Sequence, residues 1–210
     1  MTITDVLKYS AEIPYNSAKP DLPSTYNDMS YGLDCFGFVD LLRGYYPELV
    51  QIIGTYGNGI VHAAAMLDGE FVDAFLRMKE PMKIDGSQKV DTYYQGSHVA
   101  SSLKHDRLLD IQIRRGWKVM NEYHYDLRSN ASVVQQPHQY RFTFLNRGCP
   151  VTIAKLKSTD QGTRIEVIGE ESREVERILR YKFGFGVDDV AQMFYDAGQN
   201  SQYQSRLSRW

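Results

Sequence analysis

Apolar positions recur along the chain with two different periods. Between Cys35 and Leu42 the spacing is helical, with Cys35, Phe38, Val39 and Leu42 at i, i+3, i+4 and i+7. Asp34 suits the cap of that helix and Gly44 suits its stop. After a short apolar piece at 48–53, helix or strand, the period shortens to two. Residues 60–67 and 70–75 read as strands joined by Asp68-Gly69, a preferred two-residue hairpin turn. Three more alternating runs, 139–145, 151–156 and 163–168, predict an antiparallel sheet turning at Asn146-Arg147-Gly148 and Asp160-Gln161-Gly162. Helical periods return over 171–183 and 187–195. A first helix is predicted over 2–12 with Thr4 or Asp5 as cap. Another is predicted from Ser101 or Ser102 through Leu103, Leu108, Leu109 and Ile111 to Gly116, followed by a strand over 117–125. Pro14, Pro20 and Pro23 mark 14–30 as an extended surface loop. Residues 78–91 read as a linker, 129–137 as a polar loop and 201–210 as a flexible tail.

This order of elements predicts an α+β fold, read as one domain over 1–210. Within it, 1–88 would form a helix-and-hairpin core and 89–200 a second sheet with two C-terminal helices. The length of 210 residues and the 42% hydrophobic content suffice for a sizeable core. The net charge of −2 argues against a polyanion-binding protein. The charge is uneven, since 1–88 is net acidic and 89–210 net basic. The two cysteines, Cys35 and Cys149, are too few for a disulfide framework and favour a reducing compartment. The opening MTITDVLKYSAEIPYNS lacks the pattern of a secretory signal, and no apolar run has the length of a membrane span. These features predict a cytoplasmic protein, in the host cytoplasm if the source is a phage or virus, and no membrane partner.

Candidate chemistry concentrates between Asp34 and Phe75. Cys35 falls in the first turn of its helix, where unpaired N–H groups and the helix dipole favour a thiolate. The Asp68-Gly69 turn sets the register of the hairpin, so His62, Ala64, Met66, Phe71, Asp73 and Phe75 share one face. His62 and Asp73 become diagonal neighbours, roughly 7–8 Å apart at the backbone. A carboxylate on so apolar a face needs a partner, and His62 is the nearest. Nucleophile, base and orienting group would then stand in order. Plain alternatives stand beside this reading. A free cysteine on an apolar helix face is commonly a small buried hydrophobe, and His62 and Asp73 could be a satisfied core histidine and a solvated edge carboxylate.

The run Asp34-Cys35-Phe36-Gly37-Phe38-Val39 resembles the D-C-S-G-[FLV]-V motif of NlpC-type cell-wall peptidases, with Phe36 where that motif has serine. His62, followed by Asp68-Gly69 and then Asp73-Ala74, is similar to transglutaminase-like proteins. Both belong to the papain-like group of thiol enzymes. The resemblance covers about residues 30–76. It implies a papain-like core, a helix bearing Cys35 packed on an antiparallel sheet, with Cys35 as nucleophile, His62 as base and Asp73 as orienter. The implied activity is a cysteine-dependent hydrolase or acyltransferase acting on an amide, isopeptide or ester bond, with a protein or peptide substrate. The Cys35 N–H is the default oxyanion donor, with Tyr31 and Asn27 as side-chain guesses.

Other chemistries are weaker. The five histidines show no metal-ligand spacing, and no glycine run fits a nucleotide-binding pattern, so neither metal nor cofactor is expected. Pairs such as Tyr140-Arg141 and Tyr181-Lys182 leave open a nucleic-acid-binding module in the C-terminal half. A non-catalytic interaction or structural protein with a papain-like shape is the other alternative.

Overall fold

Helix α1 (Ile3–Ala11) falls within the expected 2–12, but Thr2 and not Thr4 or Asp5 is its cap. Asp5 N–H donates to Thr2 Oγ1 at 3.2 Å and Thr2 N–H donates to Asp5 Oδ2 at 2.9 Å. This reciprocal box satisfies two end donors at once. The computed structural model describes residues 1–17, 32–56, 60–85, 88–128, 140–159, 162–167 and 173–199. A two-residue strand β1 (Tyr15–Asn16) lies at the start of the segment expected to be loop. The remainder of that loop, from residue 18 to residue 31, is outside the described residues.

Helix α2 (Cys35–Tyr45) begins where expected. The Asp34 carboxylate accepts from Gly37 N–H at 2.7 Å. Gly44 does not stop it; the helix ends at Tyr45, with Tyr46 as its non-helical cap immediately before Pro47, which disfavours helical backbone in its predecessor. Strand β2 (Val50–Tyr56) follows, then β3 (Ile60–Leu67) and β4 (Glu70–Val72). The hairpin has the expected register, Leu67 opposite Glu70 and Met66 opposite Phe71. Asp68 and Gly69, at φ 50° and 81°, make the left-handed turn that sets it. The ladder stops at Val72, so Asp73 begins a turn instead of continuing the strand.

The expected linker 78–91 contains two short strands, β5 (Met82–Lys83) and β6 (Lys89–Asp91), held by buried Met78, Met82 and Val90. The helix expected over 103–116 is absent. In its place β7 (Ser97–Lys104) and β8 (Leu108–Arg115) form an antiparallel hairpin. The reason is that Leu109, Ile111 and Ile113 bury alternate positions, a period of two that the helical reading missed. His105 and Asp106, at φ 54° and 50°, form its turn. Strand β9 (Lys118–Asp126) is close to expectation. These strands form one eight-stranded sheet in the order β5-β4-β3-β2-β9-β8-β7-β6. It draws strands from both sides of residue 88.

The expected second sheet is present as β10 (Tyr140–Asn146), β11 (Cys149–Thr159) and β12 (Gly162–Val167), with β1 added at its edge beside β10. Helices α3 (Arg173–Phe183) and α4 (Val187–Gln199) follow, α4 running past its expected end. The expected tail 201–210 and the loop 129–137 are outside the described residues. The architecture is α+β.

Three apolar clusters fill it. One joins α1 and α2 to Ala63, Ala65, Leu67 and Val72. A second lies within the eight-stranded sheet around Ala64, Phe71, Ile111 and Tyr125. The third packs α3 and α4 on the smaller sheet through Phe142, Phe144, Leu179 and Phe194. No helix among the described residues is long and apolar enough to cross a membrane.

Candidate active site

The body of α2 rests on the odd-numbered face of β3, through Ala63 and Ala65. Strand alternation puts His62 on the opposite face with Ala64. The first turn of the helix reaches that face, where Cys35 lies near enough to His62 to help raise its pKa. Small alanines at 63 and 65 allow helix and sheet to approach closely enough for this.

Asp73 meets His62 because it leaves the ladder. Its Oδ1 accepts from the N–H groups of Phe75 (2.9 Å) and Leu76 (3.3 Å), a carboxylate starting its own turn. That fixes Oδ2 at 2.6 Å from His62 Nε2. With Nε2 held by Asp73, Nδ1 is the ring nitrogen left to face the thiol. All three side chains are buried, at 8%, 4% and 2% exposure for Cys35, His62 and Asp73. Burial alone would lower the histidine pKa. The Asp73 charge, its hydrogen bond and the Cys35 contact outweigh burial and raise it to about 10. His62 is therefore an imidazolium at neutral pH.

Aromatic rings surround the imidazole. Tyr123 and Phe75 lie 4.5 and 4.8 Å from it between ring centroids. Tyr15 packs at a tilt against Phe75, with ring centroids 4.6 Å apart. Its phenol is held well above the ordinary range by burial and by the nearby Cys35. Sequence reasoning missed Tyr15 and Tyr123. Tyr15 sits in a proline-marked segment with no periodicity, and Tyr123 is one aromatic in an alternating strand, about 60 residues away in sequence from His62.

Beyond Asp73 stands Arg77, only 2% exposed and at φ 58°. It donates to Ser10 O and Ile13 O, both at 2.6 Å, and its guanidinium lies 4.8 Å from the Phe38 ring. Burial lowers its pKa, while Tyr94, through charge and a hydrogen bond, and the Asp73 charge raise it. Its positive charge and the Asp73 carboxylate act on each other.

The glycine in the Cys35 turn is also accounted for. A Cβ on Gly37 would lie 3.1 Å from Leu33 Cδ2 and 3.3 Å from Asp34 Oδ1, the capping atom itself. Tyr31 and Asn27 are outside the described residues. Among the described residues, the group best able to hold a metal is Asp110, Glu122 and His124, remote in sequence from Cys35.

No protein-family model matches the chain, and no curated protein matches it in sequence. Solved structures do match in fold. An arylamine N-acetyltransferase of Mycobacterium marinum, in complex with CoA, aligns with TM-score 0.59 over 93% of this chain and 91% of that one, at 12% identity. The fold resembles that of arylamine N-acetyltransferases. A second such enzyme, from M. tuberculosis, gives 0.56 over 93% and 92% at 11% identity. A third, from Mycobacterium abscessus, gives 0.58 over 95% and 88% at 12% identity. The likeness in fold covers nearly the whole chain.

Proposed function

We infer that the protein is a cysteine acyltransferase that carries its acyl group on Cys35. The observation that supports this most directly is the grouping of Cys35, His62 and Asp73, with the thiol at a helix start and a 2.6 Å bond from Asp73 holding the imidazolium. The Cys35 thiolate attacks the carbonyl carbon of an acyl thioester or ester. The donor's thiolate or alkoxide leaves and takes the proton of His62, departing as the thiol or alcohol, and Cys35 becomes the acyl thioester. An amine then attacks this thioester, passes its proton to His62, and departs as the amide while the thiolate returns. The Cys35 backbone N–H, at the positive end of α2, is the donor assigned to the developing oxyanion. The aromatic walls Tyr15, Phe75 and Tyr123 exclude water and suit a small aromatic amine as acceptor. A thiol so covered also favours a small acyl donor over the protein or peptide substrate that the papain-like resemblance suggests. The fold neighbours are named arylamine N-acetyltransferases, which agrees with this choice.

The test is acyl-enzyme formation. Wild type and Cys35→Ala, both in a Cys149→Ser background, are mixed with acetyl-CoA or p-nitrophenyl acetate and weighed intact by mass spectrometry. One acetyl group should appear on wild type alone, and an aromatic amine should discharge it faster than buffer does. Absence of the adduct sinks the enzyme reading. Discharge at one rate with or without amine replaces transfer by hydrolysis.

A further inference from the structure

A second feature lies on the outer face of the β6–β7–β8 edge, away from the thiol in sequence. Lys79, Lys89, His98, Thr92, Ser97 and Trp117 line an open groove of about 650 Å³, within the size range of small-molecule sites. Its floor includes Gly96 and Gly116, where an added Cβ would meet no atom within 4 Å. Trp117, at the turn between β8 and β9, is 95% exposed. A large indole left in water is the informative kind of exposure. It offers a flat face beside a polar hollow.

The groove is also electropositive. Lys79 and Lys89 face Asp91 alone among the lining carboxylates. Strand register sets Arg114 opposite His98 and Asp91 on its other side. The His98 pKa is lowered, by partial burial and then by Lys89 and Arg114, against an opposing pull from Asp91. Cations close enough to disfavour the protonated histidine also favour an added anion.

We propose that this groove binds a small ligand carrying phosphate beside a planar ring, of the mononucleotide class. The phosphate lies between Lys79 and Lys89, and the ring stacks on Trp117. The size of the groove and its single aromatic platform fit one nucleotide rather than a strand, and the net charge of −2 does not favour a polyanion. Thr92 Oγ1 is already committed to Ser97 O at 3.2 Å, so the lysines are the recognising groups. The proposal is independent of the chemistry at Cys35.

The experiment is calorimetric titration of the full chain with ADP, adenosine and inorganic phosphate, in wild type, Lys89→Glu and Trp117→Ala. Both substitutions are on exposed residues, and circular dichroism verifies folding. ADP should bind at least about tenfold more tightly than either fragment, and each substitution should weaken it by about tenfold or more. Adenosine binding should fall in Trp117→Ala and hold in Lys89→Glu. Bound ADP should raise the His98 pKa followed by NMR. No saturable ADP binding into the millimolar range overturns the proposal, as does binding untouched by both substitutions. Binding of a single-stranded oligonucleotide without binding of ADP also overturns it, and assigns the face to nucleic acid.

Discussion

His62 owes its charge to what surrounds it. Its imidazolium is held by Asp73 against the cost of burial, so replacing either partner should be felt at the thiol. In a Cys149→Ser background, alkylation of Cys35 by iodoacetamide at pH 6 should fall by at least about tenfold in His62→Ala. An unchanged rate would mean that the thiol does not depend on the imidazole. The raised pKa also has a stability consequence. Because the folded value, about 10, lies above the unfolded value of about 6.5, the stabilisation from His62 is complete below pH 6.5. It is lost as pH rises from there towards 10. Urea midpoints of wild type and His62→Gln measured across that interval should converge with rising pH. A difference that stays constant would show that the histidine does not titrate there.

At the scale of elements, two local devices deliver these side chains. The Asp34 cap holds the first turn of α2, and Asp34→Ala should cost about 1 kcal/mol in a denaturation midpoint. The other device is Gly54 in β2, which lies opposite both His62 and Tyr125. A Cβ there would come within 2.6 Å of the Tyr125 ring. Gly54→Ala should therefore destabilise by about 1–3 kcal/mol and slow Cys35 alkylation, because the ring is pushed within the layer that supports His62. A fully stable, fully reactive variant would show that the strand yields without cost. The β3–β4 turn, by contrast, needs no outside help. Asp68 and Gly69 set its register with their own backbone preferences.

Across the whole molecule, Arg77 joins parts that are distant in sequence. It binds the carbonyls at the end of α1 while standing beside Asp73 and Tyr94. Arg77→Met should cost about 3–5 kcal/mol, since buried carbonyls lose their donors and the Asp73 charge loses a neighbour. Thermal or urea denaturation of the two proteins measures it. A loss under about 1 kcal/mol would show that water or other donors replace the guanidinium.

Local chemistry in the sequence was enough to find the helix that starts at Cys35, the Asp34 cap, the Asp68-Gly69 register and the His62–Asp73 pairing. Each rests on a period, a cap or a turn spanning a dozen residues or fewer. The β7–β8 hairpin was not legible because its apolar residues fit a helical pattern too, and only the sheet they bury against chose between the two. Tyr15, Tyr123 and Arg77 carried no local signal at all. Their roles come from long-range pairing of β2 with β9 and of β1 with β10, and from a guanidinium reaching carbonyls more than 60 residues away. Sequence alone determined which three groups could meet, because turn and cap geometry is local. Tertiary structure decided that they do meet, and which rings and charges surround them, because burial is set by the whole chain.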